Sequence, residues 1–289
     1  MNLFFILFLL LFISTEYSEF HGTVVSQITN GTSVDEIEAF NFISGMIYLD
    51  TSTNMQSVCG ASIVSPNKYI VTCAHCVEHR ELITLYFGSK NICNPYYALN
   101  ITQANIIIHP EYSGHPNHLN DIAVIVGIPL PTDPKFGQIE LVKRNYVPKK
   151  MNKVTLFGYT GGLRPDYSPI LTDLNYVSAT IADFSACQRS YSTKNVFLVE
   201  GLQFCVNLRG KYNQSNVNYG DSGGAVLTKD RHLLGLISQR LDGIPEVMTN
   251  IMGYFDFIEH PRAFVMQYYQ QHNQQNNQQN NQQAYFNFL

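Results

Sequence analysis

Between Val24 and Phe257 the chain is cut into short β-rich segments, none longer than eight residues, each closed by turn-forming residues. The first set lies at 45–49, 61–64, 69–72, 83–87, 105–108 and 122–126, and the second at 153–158, 174–181, 224–227 and 233–237. Runs this short and this rich in Val, Ile, Tyr, Phe and Thr cannot build a helical bundle; they fit packed all-β units. Pro129, Pro131 and Pro134 fall within 127–137 and mark a linker, so two units are expected. Only Tyr254 to Tyr269 reads as a helix, despite its internal Pro261. From Gln270 to Gln283 the chain is almost pure Gln and Asn, which cannot bury a core, so a disordered tail over 270–289 is expected.

The N-terminus sets the compartment. Leu3 to Ile13 is an unbroken apolar run, of signal-peptide length and too short to span a bilayer. Small residues Ser14, Thr15 and Ser18 follow as cleavage points, so residues 1–18 read as a secretion signal, although no Lys or Arg precedes the run. No later segment qualifies as a membrane span. A secreted, extracellular protein is expected, in which the six cysteines are free to form disulfides. Only 14% of residues are charged, and the net charge of −4 with no basic run in the sequence argues against a nucleic-acid partner.

Three segments carry chemistry. Val71-Thr-Cys-Ala-His75-Cys76 ends a β run on a histidine, Asn120-Asp121-Ile-Ala-Val opens another on an aspartate, and Gly220-Asp221-Ser222-Gly223-Gly224 sets a serine in a glycine-rich turn. A hydroxyl is a poor nucleophile at neutral pH and needs a base within hydrogen-bond reach, itself oriented by a third group. His, Asp and Ser can fill those roles, and glycines beside the serine let backbone N–H groups face a developing oxyanion. The competing reading, zinc on His75 with Cys73 and Cys76, crowds its ligands into four residues, closer than structural zinc sites usually allow.

In this order and spacing the three segments resemble the T-A-A-H-C, D-I-A-L and G-D-S-G-G signatures of trypsin/chymotrypsin-like serine proteases. The resemblance covers roughly Ile28 to Tyr269. It implies two antiparallel six-stranded β-barrels with a C-terminal helix: an N-terminal barrel at about 28–128, a C-terminal barrel at about 137–255 and the helix at about 254–269. By that resemblance His75 is the general base, Asp121 its orienting partner and Ser222 the nucleophile, with the N–H groups of Gly220 and Ser222 as the oxyanion hole. Ser238 matches the serine that supports the buried aspartate. Cys59–Cys76 and Cys187–Cys205 match two family disulfides; Cys73 and Cys93 are left, and are paired by exclusion. The family uses no catalytic cofactor, so no metal is expected.

Ile28-Thr-Asn-Gly31 resembles the family's I-V-G-G start, which implies a short propeptide over 19–27, cleavage after Gln27, and an ion pair between the new terminus and Asp221. No Lys or Arg precedes Lys68, so a trypsin-like activator has nothing to cut. Three sequons lie at Asn30, Asn100 and Asn213; Asn100 and Asn213 are expected to carry glycans, and Asn30, beside the inserting terminus, none.

The substrate pocket departs from the family pattern. Asn216 stands where tryptic members have Asp, Asn218 where a pocket-bracing Cys would be, and Gln239-Arg240 where Trp-Gly is usual; the chain has no Trp at all. Glu246 replaces a pocket-wall Gly, and an Arg240–Glu246 pair across the pocket would narrow it. Two readings stay open. One is a secreted, monomeric serine endopeptidase acting on proteins or peptides without tryptic specificity and answering to protease inhibitors. The other is a catalytically impaired protease homologue with an obstructed S1 pocket, acting as a binding or decoy protein.

Overall fold

The computed structural model describes residues 28, 31–35, 37–50, 55–159, 173–208, 217 and 220–286. The leader 1–18, the propeptide 19–27, Asn30, Asn213, Asn216 and Asn218 lie outside the described residues.

Two antiparallel sheets form the body. The first is built from β2 (Ile43–Asp50), β3 (Met55–Val64), β4 (Tyr69–Thr72), β5 (Ile83–Phe87), β6 (Tyr97–Ile101), β7 (Ile106–Ile108) and β8 (Ala123–Ile125), in the order β6-β5-β2-β3-β4-β8-β7. The second holds β9 (Lys153–Gly158), β10 (Asn175–Ile181), β11 (Gln203–Leu208), β12 (Ala225–Thr228), β13 (Leu233–Gln239) and β14 (Glu246–Asn250), closed into a six-stranded barrel by β9–β10 pairing. The expected pair of six-stranded barrels is thus met by one closed barrel and one curled seven-stranded sheet. The short β1 (Thr32–Ser33) pairs with β10, so the segment from Ile28 belongs to the second barrel and not to the first, as its place in the chain had suggested.

β5 alternates buried and half-buried residues, the period-2 signature of a strand with one face on the core. β6 alternates half-buried with exposed residues before ending on buried Ile101, so little of its apolar sequence faces the core. β11 and β14 were hidden from the sequence reading: Gln203, Glu246, Thr249 and Asn250 are polar yet buried. α1 (Phe184–Ser192) is capped by Asp183, whose carboxylate accepts from Ala186 N at 2.9 Å. It brings Cys187 to Cys205 of β11, and the two form a disulfide.

The barrels meet on a shared apolar surface, where Val71 and Ile122 pack in one cluster with Phe157, Ala225 and Leu236. The 127–137 linker continues into a strap: Ile139 exchanges backbone bonds with Ile63 and Ser65 of the first sheet, and Val142 N donates to Leu233 O of the second. The expected terminal helix is two, α2 (Phe255–Glu259) and α3 (Pro261–Phe286), with Pro261 at the first position of α3, where its missing N–H costs nothing. α3 runs on through the Gln/Asn-rich segment that was expected to be disordered. A helix needs only local backbone bonds, Gln is a good helix former, and no Pro or Gly interrupts 263–286.

Gly60 marks a close backbone approach between the barrels. A Cβ there would lie 2.8 Å from both Cα and N of Gly224, backbone atoms that cannot swing aside. Gly60→Ala is expected to destabilise the fold by about 1–3 kcal/mol, read as a lower urea midpoint at unchanged slope.

Candidate active site

The site grows from the end of β4. Buried Thr72 gives its hydroxyl to Gly60 O at 2.8 Å, and the chain then turns through Ala74–Cys76, presenting His75 at the seam between the barrels. The Cys59–Cys76 disulfide staples that turn back to β3.

Asp121 arrives from the other side, one residue after Asn120, which adopts a left-handed φ of 54° and is held by Glu111 O and the Tyr254 hydroxyl. Its carboxylate is fully buried. It accepts His75 Nδ1 at 2.8 Å, His75 backbone N at 3.0 Å and Ser238 Oγ at 2.6 Å, while the Asp121 carbonyl accepts Thr249 Oγ1 at 2.9 Å. Burial pushes the Asp121 pKa up, but the His75 charge and the His75 and Ser238 hydrogen bonds outweigh it, leaving the carboxyl at about 2. For His75, burial disfavours the charged form and Asp121 favours it more strongly, so its pKa is raised. An imidazole oriented through Nδ1 in this way keeps Nε2 for taking up a proton.

Ser222 sits half-buried on the turn between Gly220 (φ 99°) and Gly223 (φ 76°), a backbone shape that side chains rarely adopt. A Cβ at Gly223 would strike the Gly60 carbonyl and the Thr72 hydroxyl, which shows how tightly this turn lies on the histidine strand. Three further bonds fix it: Gly60 N to Ser222 O at 2.7 Å, Gly223 N to Ile237 O at 2.8 Å and Gly224 N to Asp221 O at 2.9 Å. Asp221 is fully buried against β9, where a Cβ on Gly158 would collide with its carboxylate.

Two expectations are corrected here. Cys73 and Cys93 are not joined. Cys73 is buried at the barrel seam with its thiol on Ile237 O at 3.1 Å, and burial pushes its pKa well up; Cys93 lies exposed. The zinc reading on His75, Cys73 and Cys76 also loses one of its ligands, since Cys76 is spent in a disulfide. The second correction concerns Arg240, which does not pair with Glu246. It bonds Asp242 at 2.5 Å and gives Nη1 to Val217 O at 2.7 Å. Glu246 is 5% exposed, its Oε2 has no hydrogen-bond partner among the described residues, and burial raises its pKa to about 8 despite Arg240 nearby. Gln239 reaches across to Pro116 O at 2.9 Å.

His118 was missed. Its ring meets His75 edge-on at 5.4 Å, it shares a hydrogen bond with the Tyr112 hydroxyl, and burial lowers its pKa. The available signal was three histidines, His109, His115 and His118, just before Asp121. Thr249 left no signal, because only the strand register of β14 places it under Asp121.

Two antiparallel barrels with a carboxylate–imidazole pair at their seam and a serine turn beside it are the architecture of one class of protein, the double-barrel serine proteases. The family model for trypsin matches residues 30–258, and the chain belongs to that family. It is similar to Serine protease 7 of Drosophila melanogaster (28% identical over 260 residues, 79% of this chain and 63% of that protein). Serine protease 1 of Drosophila melanogaster is 27% identical over 249 residues, covering 81% of this chain and 85% of that one. Trypsin Blo t 3 of Blomia tropicalis is 28% identical over 210 residues, 70% of this chain and 76% of that one. Among solved structures, HL collagenase superposes at a TM-score of 0.68 with 22% identity, covering 81% of this chain and 98% of that one. A scabies mite inactivated protease paralogue, S-I1, does so at 0.65 with 23% identity, covering 79% and 97%. Among the described residues no helix is long and apolar enough to cross a membrane.

Ser238→Ala removes a hydrogen bond to a buried charge and is expected to cost about 1.5–3 kcal/mol. It also removes one of the contacts that hold the Asp121 pKa down. A depressed carboxylate contributes stability above its unfolded pKa and loses it as pH falls through the folded one, so acid unfolding of the variant begins at higher pH. Urea titrations between neutral pH and pH 2 measure both effects.

Proposed function

We propose that the protein is a secreted serine endopeptidase that hydrolyses peptide bonds in protein substrates through an acyl-enzyme. His75 takes the Ser222 proton as general base, Asp121 fixes its tautomer and stabilises the imidazolium, and the N–H groups of Gly220 and Ser222 receive the oxyanion. His75 then returns the proton to the leaving amine. One observation carries this reading: the buried Asp121 carboxylate is satisfied by His75 and Ser238 together, at 2.8 and 2.6 Å, an arrangement that would be a costly burial of charge were it not used to orient the imidazole.

Residues 1–18 are the leader and 19–27 the propeptide, and cleavage after Gln27 frees Ile28 to pair with Asp221. The full burial of Ile28 beside Val142 and Val154, in the barrel that also buries Asp221, supports this. Asn100 lies exposed on β6 and is open to a glycan. The enzyme acts as a monomer, without cofactor, and is subject to protein inhibitors.

Specificity is not tryptic. Asn216 brings no charge, and a Glu246 carboxyl with a pKa of about 8 is mostly neutral at pH 7, so the pocket holds little to pair with a Lys or Arg substrate side chain. Arg240 lines the same cavity as Glu246 and is held to Val217 O and Asp242.

A fluorophosphonate probe is expected to label the processed protein and not Ser222→Ala, with the rate falling as pH drops through a value above the ordinary imidazole 6.5. Absence of labelling in protein whose mature start is Ile28 would instead establish the impaired, partner-binding homologue. Amine-bearing inhibitors are expected to bind more tightly as pH rises through about 8, where Glu246 ionises; a flat inhibition profile, or one unchanged by Glu246→Gln, would remove Glu246 from the pocket.

A further inference from the structure

On the second barrel, the 142–153 turn and the β12–β13 turn enclose a groove of about 900 Å³ that shares no lining residue with the site around Asp121. Its rim carries Lys143, Lys149, Lys153 and Lys229, all exposed, and these are four of the ten lysines in the chain. The neighbouring cations are engaged: Arg144 with Asp256 and Glu259, Lys150 with Asp183. Among the described residues none of the four rim lysines has an ion-pair partner, and Asp230 is the one carboxylate lining the groove. In a chain of net charge −4, this gathers like charges at a cost in self-repulsion and leaves a local positive field.

The groove is also apolar between its lysines. Val142 is buried in its floor, Tyr146 is partly buried, and Val147 and Met151 stand 65% and 56% exposed. Met151 adopts φ 70°, a left-handed conformation that a long side chain rarely takes. The turn holds it there through Met151 N to Ile181 O at 2.8 Å and reciprocal bonds between Lys149 and Asn152. The lysines and the two exposed apolar side chains therefore rise from a fixed backbone, which lowers the ordering cost of an encounter.

We propose that this groove docks an acidic polypeptide segment that also carries aliphatic side chains, contributed by a protein partner. Carboxylates meet the four ammonium groups, and aliphatic side chains cover Val147 and Met151. A sulfated glycan would use the charges and leave both apolar side chains in water; a purely apolar segment would leave the lysines without counter-charge. The inference is independent of the proteolytic reading, because no groove residue takes part in it.

The test is fluorescence anisotropy on the full chain with two labelled peptides of about ten residues, one alternating Glu and Leu, the other alternating Glu and Ser. The Glu/Leu peptide is expected to bind about tenfold more tightly, and its affinity to fall as salt rises. Lys143→Glu with Lys229→Glu is expected to weaken both peptides about tenfold or more at an unchanged melting temperature. Met151→Ser is expected to weaken only the Glu/Leu peptide. Equal binding of the two peptides by the unaltered chain would overturn the proposal in favour of a general polyanion surface. So would a heparin oligosaccharide that binds more tightly than the Glu/Leu peptide, or full affinity in the folded double variant.

Discussion

A carboxylate without contact to water lies at the centre of this molecule, and most of its architecture answers to that fact. Burying an isolated charge costs several kcal/mol even after relaxation, so Asp121 is tenable only while donors surround it. They come from both barrels: the imidazole and backbone N–H of His75 from the first, and the hydroxyl of Ser238 from the second, with Thr249 on the adjoining carbonyl. The bonds that orient the imidazole are therefore among those that hold the barrels together. An error of docking between the barrels would leave a charge unpaired, and this gives the interface a specificity that its Val, Ile and Leu contacts alone would not supply.

The glycines of the seam belong to the same constraint. Gly60, Gly158, Gly223 and Gly224 each stand where a Cβ would meet backbone or a buried polar group, so the turn that carries Ser222 packs closely on Gly60 of β3 and Thr72 of β4. The disulfide at Cys76 and the hydrogen bond from Thr72 fasten that strand, so the serine turn docks on a surface already rigid.

Much of this was legible because it is written in local sequence. His75, Asp121 and Ser222 lie in short motifs with distinctive neighbours, and the apolar strands announce themselves by alternation. What escaped detection depends on partners distant in the chain. β14 reads as polar because Glu246, Thr249 and Asn250 are buried for the sake of the site and the barrel end. Pairing Cys73 with Cys93 by exclusion failed because the two face different environments, one the barrel seam and the other solvent. Arg240 is drawn to Asp242 two residues away, the nearer acid across a turn, and not to Glu246 on the neighbouring strand. The Gln/Asn tail was judged by its inability to bury a core, whereas a helix extended from α2 and Pro261 asks only for backbone bonds.

The two ends of the described chain are exchanged between the barrels. Ile28 is sunk in the core of the second, while Tyr254, Phe257 and Ile258 belong to the cluster that fills the first, and rings of Tyr254, Phe257 and Phe264 surround His109. A cut in the proline-rich linker would therefore not release two self-sufficient halves. The first half would lack the helix that covers its base, and the second would lack its opening segment. Each fragment would expose the apolar socket that the other fills. The barrels are two by geometry, but in its packing the molecule is one interleaved body.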